Sequence, residues 1–287
     1  MSGWLLGVMG GSGLYALDGL ADARWERVET AFGRPSDDIL VGRLGEVRLA
    51  FLPRHGRGHV VPPGEINARA NIMALKMLGC TDVLSVSAVG SLREEMAPGD
   101  FVVVDQFIDR TKGRPGSFFG AGLVAHVPLA DPVCARLAGL AGDAARGAGA
   151  RVHEGATYLA MEGPQFSTRA ESRLYRAWGA DVIGMTAMPE ARLAREAELP
   201  YALVGMVTDY DSWREADDVD VAEIIKVMGA NGAKARTMVR GLAGALPGVR
   251  AGVAIDTVLD TALITAPEMR DGDMMRTLQP ILARVLG

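Results

Sequence analysis

The chain has 287 residues, of which 49% are hydrophobic, and it carries a formal net charge of −5. This composition suits a compact α/β enzyme and excludes a disordered or fibrous chain. The negative net charge disfavours an extended nucleic-acid surface, and no apolar stretch is long enough to span a membrane. Cys80 and Cys134 lie far apart in sequence, outside any metal-binding spacing. We therefore expect a reduced, cytoplasmic protein that binds neither nucleic acid nor membrane.

Strand-like and helix-like segments alternate along the chain. Short apolar runs predict strands at residues 5–9, 47–52, 82–86, 101–104, 157–161, 182–185 and 201–208. Helical patterns predict helices at 67–78, at 130–147 and from about 219, and glycine and proline predict a long loop over 112–127. No linker or repeat divides the chain. The pattern predicts one α/β domain over residues 1–287, in which residues from about 249 to 287 form a helical tail.

Two carboxylates follow the last of these strands. Asp209 and Asp211 are spaced i, i+2, which places both side chains on the same side of an extended backbone. A near-continuous apolar run is typical of a strand covered on both faces, and ligands gather beyond the carboxyl ends of such strands. The pair is therefore a candidate binding site. The alternatives are that Asp209 caps the helix predicted near residue 219, or that both acids lie in a solvated turn.

A glycine turn follows the first predicted strand. Its adjacent glycines let backbone N–H groups converge on an anion, and the Ser12 hydroxyl adds a further donor. Gly11, Gly13 and Ala16 also match the G-x-G-x-x-A pattern of dinucleotide-binding proteins, which makes hydride transfer an alternative. The next residues break up instead of opening the long helix that a dinucleotide site needs. An ordinary strand-to-turn glycine cluster is the second alternative.

The densest cationic cluster follows the second predicted strand, over residues 53–59. The Arg54 guanidinium can hold a phosphate through two parallel hydrogen bonds, and His55 can donate from its imidazole. His55 and His59 would align as metal ligands only on a helix, and the glycines between and beside them argue against a helix and so against a metal site. A solvated basic loop remains the alternative. Together with hydroxyls at other strand ends, Ser12 and Ser87, the cluster favours an oxyanion site.

A series of segments, in the same order along the chain, resembles the trimeric purine nucleoside phosphorylases. The segments are the glycine turn, residues 53–56 (PRHG), 85–94 (SVSAVGSLRE), 105–111 (DQFIDRT), 162–172 (EGPQFSTRAES), 178–186 (WGADVIGMT) and 208–213 (TDYDSW). The resemblance extends from about residue 7 to about residue 225. Because the segments are collinear, they are far more specific together than any one of them alone.

The resemblance implies a central mixed β-sheet flanked by helices, a homotrimer with sites near its subunit interfaces, and phosphorolysis of a purine nucleoside without a cofactor or a metal. The residues implied to bind phosphate are Ser12, Arg54, His55, Ser87, Ala88 and Thr186. The residues implied to bind the nucleoside are Met161, Phe166, Ser167, Met185, Asp209, Asp211, His126 and Val221. His126 would reach from one subunit toward the 5′ substituent of its neighbour's substrate. Asp209, His55 and Ser87 are the implied catalytic residues.

The chemistry of nucleoside cleavage is consistent with this assignment. Breaking the C1′–N9 bond places positive charge on the ribose and negative charge on the purine, and bound phosphate stabilises the first and completes the displacement. The leaving purine needs a proton at N7, and Asp209 is the candidate acid if burial and Asp211 raise its pKa. A carboxylate also accepts from a 6-amino group, so Asp209 favours adenine. His126 and Val221 offer no charged clamp, so they suit a neutral 5′-methylthio group. The expected substrate is therefore 5′-methylthioadenosine.

Some residues depart from the family pattern. Ser12 and Ser87 stand where close relatives often carry Thr, and Gly184 replaces an Asn that is common in eukaryotic members. Residues 256–287 do not align securely, so the 5′ substituent is the least constrained part of the substrate. The alternatives are a 6-oxopurine or methylthioinosine phosphorylase and, in a different class, a nucleoside-binding protein without turnover.

Overall fold

The computed structural model describes residues 3–11, 13–15, 17–214 and 221–286 of the chain. The strands are β1 Leu5–Gly10, β2 Ala21–Glu26, β3 Ile39–Leu44, β4 Val47–Pro53, β5 Asp82–Ser91, β6 Phe101–Arg110, β7 Val152–Met161, β8 Val182–Gly184 and β9 Tyr201–Asp209. The α-helices are α1 Ala68–Met77, α2 Ala135–Gly147, α3 Arg169–Ala177, α4 Ala187–Glu196, α5 Val221–Ala245, α6 Gly272–Thr277 and α7 Gln279–Leu286. Short 3₁₀ helices span Pro63–Glu65, Ala254–Asp260 and Pro267–Met269.

The strands form one nine-stranded mixed sheet in the order β2-β3-β4-β1-β5-β8-β7-β6-β9, with a further pairing of β5 to β9. That pairing closes β5, β8, β7, β6 and β9 into a ring, while β2, β3, β4 and β1 extend from it as an open sheet. Strands β4, β1, β5 and β9 run parallel to one another, so their carboxyl ends meet at one edge. The prediction of a central mixed β-sheet flanked by helices is confirmed.

Long-range pairing lengthens several predicted strands. β5 continues to Ser91, beyond the predicted end at residue 86, because it pairs with β9 as far as Gly90 and with β8 at Gly90 and Ser91. β6 continues to Arg110 because it pairs along its whole length with β7. The exposed, polar strand β2 at the edge of the sheet carries no apolar alternation and was not predicted. Local hydrophobicity reports the buried core of a strand and misses the ends that partner strands stabilise.

Local signals set the helix boundaries. The side chain of Asn67 caps α1 by accepting the backbone N–H of Ala70, and Gly79 just beyond the helix takes a positive φ of 84°. Thr168 and Glu171 form a capping box at the start of α3. The second predicted helix, residues 130–147, begins only at Ala135. The chain bends at residues 130, 131 and 133, and Cys134 is extended, with its N–H paired to the carbonyl of Tyr201 in β9.

The helices cover both faces of the sheet. On one face, α2 and α5 pack together over an apolar cluster that includes Leu137, Val239 and Phe51. On the other face, α1 and α4 pack over a second cluster, and the helices of the segment after residue 249 lie against them. No helix within the described ranges is both long enough and apolar enough to cross a membrane.

The C-terminal segment is tied to the body by a buried carboxylate. Glu198 accepts two hydrogen bonds from Arg284 at 2.6 and 2.7 Å and one from the backbone N–H of Leu259 at 2.9 Å. The same segment reaches the long loop over 112–127, where the His126 N–H donates to the carbonyl of Ala262 at 2.9 Å. The segment is therefore part of the core rather than an appendage.

Glu198→Ala should lower the free energy of unfolding by about 2–4 kcal/mol, because it leaves the Leu259 N–H without its acceptor and the Arg284 guanidinium with Asp260 as its remaining carboxylate partner. Urea denaturation measures this change. Glu268→Ala, an exposed carboxylate in the same segment, is the control and should stay within about 0.5 kcal/mol of the parent protein. Equal stabilities for the two variants would contradict the role given to Glu198.

Candidate active site

A cavity of about 340 Å³ opens at the edge where the parallel strands end. This volume falls in the range typical of small-ligand sites. The residues implied by the family resemblance that line it are Arg54, His55, Ser87, Ala88, Met161, Phe166, Met185, Thr186, Asp209 and Asp211. Ser12 lies outside the described residues, although its neighbour Gly11 lines the cavity. The structure thus brings together implied residues that are up to 157 positions apart, from Arg54 to Asp211.

Arg54 lies at the floor of the cavity, and its charge is already balanced. Its side chain is 1% exposed and pairs with the equally buried Glu190 through Nε and Nη2. It also donates to the hydroxyl of Ser85 and to the carbonyl of Val86. From the sequence, we expected the guanidinium to make two parallel hydrogen bonds to phosphate. In the structure it makes them to Glu190. Arg54 therefore leaves an N–H free to donate at the floor of the cavity but adds no net charge there.

His55 is neutral in this environment. Burial and the adjacent Arg54 charge lower its pKa to about 4. Its Nδ1 lies 2.9 Å from the carbonyl of Val61, which can only accept, so Nδ1 carries the hydrogen. The ring stacks on His59, with centroids 4.2 Å apart. The other nitrogen, Nε2, is therefore an acceptor, whereas sequence reasoning expected His55 to act as a donor.

Two hydroxyls converge from different strands at the same floor. The Oγ of Ser87, on β5, lies 3.2 Å from the Oγ1 of Thr186, which follows β8. Both residues are almost fully buried. Hydroxyls can donate to an anion without carrying charge, so they suit a site whose guanidinium is already neutralised.

The two carboxylates form the opposite end of the cavity. Asp209 Oδ1 accepts the backbone N–H of Asp211 at 2.8 Å, and Oδ2 lies 2.7 Å from the Thr208 hydroxyl. Asp209 thus closes its own tight turn rather than capping α5, and Asp211 sits in that turn with a positive φ of 49°. Oδ2 of Asp211 is buried, and the hydroxyls of Ser172 and Ser167 lie near this carboxyl. Burial raises the pKa of both carboxyls.

Apolar and sulfur-containing side chains form the walls between these ends. Met161 at the end of β7, Met185 after β8 and the half-exposed Phe166 face the cavity. From α5, Ile224 and Met228 line the same space. Sequence reasoning missed both α5 residues, although their spacing of four places them on one helix face.

Arg114 holds together the two walls that Met161 and Met185 form. From the sequence it was predicted only as part of a long loop. Its guanidinium donates to the carbonyls of Glu162 at 2.7 Å, Met185 at 2.7 Å and Met188 at 3.0 Å, and to the Glu162 carboxylate at 3.1 Å. The side chain is only 7% exposed. No local pattern marks such a residue, because all its partners are distant in sequence.

Gly184 is required by its neighbour. A Cβ at this position would collide with the hydroxyl of the fully buried Tyr158. The Asn found here in eukaryotic members would therefore need a different packing beneath Met185. Tyr158 lies close beneath the floor of the cavity, since its hydroxyl also accepts from the backbone N–H of Thr186 at 3.4 Å.

Three implied residues do not line the cavity. Ser167 is buried behind it, with its hydroxyl 3.6 Å from the sulfur of Met161. Val221 is 56% exposed at the start of α5. His126 lines a separate, smaller cavity of about 230 Å³, together with Arg192 and Glu196. Across the described ranges, no group of three His, Cys, Asp or Glu residues is placed to hold a metal ion.

Comparison with known proteins agrees with this fold. The family model of the Phosphorylase superfamily matches residues 5–243. The S-methyl-5′-thioadenosine phosphorylase of Cereibacter sphaeroides is 59% identical over 285 residues, 98% of each chain. The protein of the same name from Rhodospirillum rubrum is 52% identical over 286 residues, 99% of this chain and 97% of its own.

Solved structures give the same result. A crystal structure of methylthioadenosine phosphorylase from an antarctic soil metagenomic library has a TM-score of 0.92 at 43% identity, covering 98% of this chain and 100% of its own. The Schistosoma mansoni methylthioadenosine phosphorylase in complex with adenine has a TM-score of 0.78 at 38% identity, covering 84% and 91%. The chain therefore belongs to the Phosphorylase superfamily. Within it, the chain is an enzyme of the purine nucleoside phosphorylase type, a pentosyltransferase.

Arg114→Lys should raise the KM for the nucleoside about tenfold, which corresponds to a loss of roughly 1.4 kcal/mol of binding free energy. The KM for phosphate should change less than about twofold, because the loss is confined to the methionine walls. An ammonium cannot span the carbonyl fork that the guanidinium holds. Steady-state kinetics with each substrate varied in turn measures the effect. Arg34→Lys, at an exposed ion pair, is the control. An equal rise in both KM values would contradict a role limited to these walls.

Proposed function

We propose that the protein catalyses the phosphorolysis of 5′-methylthioadenosine to adenine and 5-methylthioribose 1-phosphate. The proposal rests on a cavity that offers uncharged hydrogen-bond donors to an anion at one end and holds two buried carboxylates at the other. Methionine side chains line the walls between the two ends. The names of the most similar relatives support the substrate. Phosphate would bind at the floor, the purine at the carboxylate end and the 5-thioribose along the apolar walls.

At the floor, Ser87, Thr186 and the Ala88 backbone would hold phosphate beside C1′, with Ser12, Arg54 and His55. The phosphate would stabilise the positive charge that develops on the ribose and then form the new C1′–O bond, so no protein nucleophile is needed. Because His55 Nε2 accepts, it suits the P–OH group of monoprotonated phosphate. Because Arg54 is already paired with Glu190, most of the anion binding would come from hydroxyl and backbone donors.

At the other end, Asp209 would donate a proton to N7 of the leaving purine. The negative charge that develops on the purine as C1′–N9 breaks makes this proton transfer favourable, and burial raises the pKa of the acid in the required direction. The Asp209 carboxyl would also accept a hydrogen bond from a 6-amino group, with Asp211 as its supporting neighbour. A 6-oxo group would instead face an acceptor.

Met161, Met185 and Phe166 would lie along the sugar and its 5′ group. A neutral methylthio group gains from sulfur and apolar contacts, and the described part of the cavity presents no charged residue between its two ends. We also propose a homotrimer in the cytoplasm, in which His126 and Val221 complete the 5′ end of a site. The separation of His126 from the cavity of its own chain is consistent with a contribution from a neighbouring subunit.

A parallel assay tests the proposal. The purified protein is incubated with phosphate and 5′-methylthioadenosine, adenosine, inosine or guanosine, and base release is followed by chromatography. We expect release that depends on phosphate and is fastest from 5′-methylthioadenosine. Faster release from inosine would favour the 6-oxopurine alternative, and no release from any nucleoside would favour a binding protein without turnover.

Asp209→Asn should shift the preference toward 6-oxopurines, because an amide can donate to a 6-oxo group, while kcat for 5′-methylthioadenosine falls by about 100-fold through loss of the acid. Ratios of kcat/KM for the adenine and hypoxanthine nucleosides measure the shift. Asp105→Asn, at an exposed residue of β6, is the control. An unchanged ratio would mean that Asp209 does not contact the 6-position.

A further inference from the structure

The hydroxyl of Thr208 has two acceptors and one hydrogen. Thr208 is the penultimate residue of β9, is 6% exposed and lines the cavity. Its Oγ1 lies 2.7 Å from Oδ2 of Asp209 and 3.2 Å from the carbonyl oxygen of Val89 on β5. A carbonyl oxygen can only accept. The hydroxyl can therefore donate to Val89 or to Asp209, but not fully to both.

The protonation state of Asp209 decides between these arrangements. Oδ1 accepts the backbone N–H of Asp211, so the carboxyl proton belongs on Oδ2. When Oδ2 carries the proton, it can donate to Thr208 or to a ligand while Thr208 donates to Val89. When Oδ2 is ionised, the Thr208 hydroxyl donates its hydrogen bond to Oδ2 and no longer to the carbonyl of Val89. One rotation about the Thr208 Cβ–Oγ1 bond separates the two states.

We propose that Thr208 is a positioning residue for the acid, which turns its hydroxyl from Val89 to Asp209 as the purine leaves. The inference rests on the proposed function, in which Asp209 protonates N7. In the step, the C1′–N9 electron pair passes to the purine, the Oδ2 proton passes to N7, and a phosphate oxygen forms the new bond to C1′. The Thr208 hydrogen stays on its own oxygen and only changes acceptor, so the new carboxylate gains a charge-assisted hydrogen bond as it forms.

Among the described residues, the Thr208 hydroxyl and the Asp211 N–H are the groups placed to stabilise the Asp209 carboxylate. Within the described residues, the other titratable groups near this end are Asp211 in the same turn and Tyr175 of α3, and burial is the largest cause that raises the pKa of each. Across the cavity lie His55, which is neutral, and Arg54, which is paired with Glu190. The facing parts of β5 and β8 present Gly90 and Ile183, which do not titrate. No opposite charge is placed in this set to stabilise the Asp209 carboxylate.

Thr208→Val removes the hydroxyl at nearly constant shape, and Thr208→Ser keeps it. For Thr208→Val we expect kcat to fall by about 10-fold to 100-fold, the loss of one hydrogen bond to a charged group, with the phosphate KM within about twofold. Activity requires protonated Asp209 and is lost as pH rises through its pKa. Because the Thr208 hydrogen bond lowers that pKa, its removal should move the basic limb of the kcat–pH profile upward by about one unit. Thr208→Ser should restore both the rate and the limb.

Thermal denaturation of each variant shows whether it is folded at the assay temperature. An unshifted basic limb in folded Thr208→Val, or a Thr208→Ser variant as slow and as shifted as Thr208→Val, would overturn the role of the hydroxyl. Failure of the proposed function has a different signature, since the unmodified protein itself would then release no adenine from 5′-methylthioadenosine with phosphate.

Discussion

The site depends on how strand β5 is shared among its neighbours. β5 runs parallel to β1 at its start and parallel to β9 as far as Gly90, and it turns to pair antiparallel with β8 at Gly90 and Ser91. At this junction a Cβ on Gly90 would lie 2.9 Å from Asp209 Oδ1 and 3.1 Å from Ile183 Cγ2. Only glycine lets the three strands approach this closely. The approach brings the ends of β5, β8 and β9 into one cavity.

Burial then sets the charge of the cavity. The floor holds a guanidinium, but Glu190 neutralises it, and the imidazole of His55 is kept neutral by burial and by that guanidinium. At the other end, burial raises the pKa values of two carboxyls. The result is a floor of uncharged hydrogen-bonding groups that faces an acid end. This polarity suits a reaction that places positive charge on a sugar beside phosphate and negative charge on the leaving base.

Sequence reasoning found the residues whose signal is local. Asp209 and Asp211 follow an apolar strand, and Arg54 and His55 follow another, so their position at the carboxyl edge of the sheet could be predicted from hydrophobicity and turn chemistry alone. It did not find Arg114 or Glu190, which hold the methionine walls and the guanidinium. Each acts through partners far away in sequence, such as Met185 for Arg114, and neither lies in a pattern that differs from an ordinary loop or helix.

The sequence by itself determined that polar groups cluster at the strand ends, because strand periodicity, glycine turns and an i, i+2 carboxylate pair are properties of neighbouring residues. Only the tertiary structure decided what those groups can do. It paired Arg54 with a carboxylate 136 residues away, made His55 an acceptor, and set Thr208 between Asp209 and Val89. The physical reason is that hydrogen-bond direction and ionisation depend on burial and on partners from other strands, which no single segment contains.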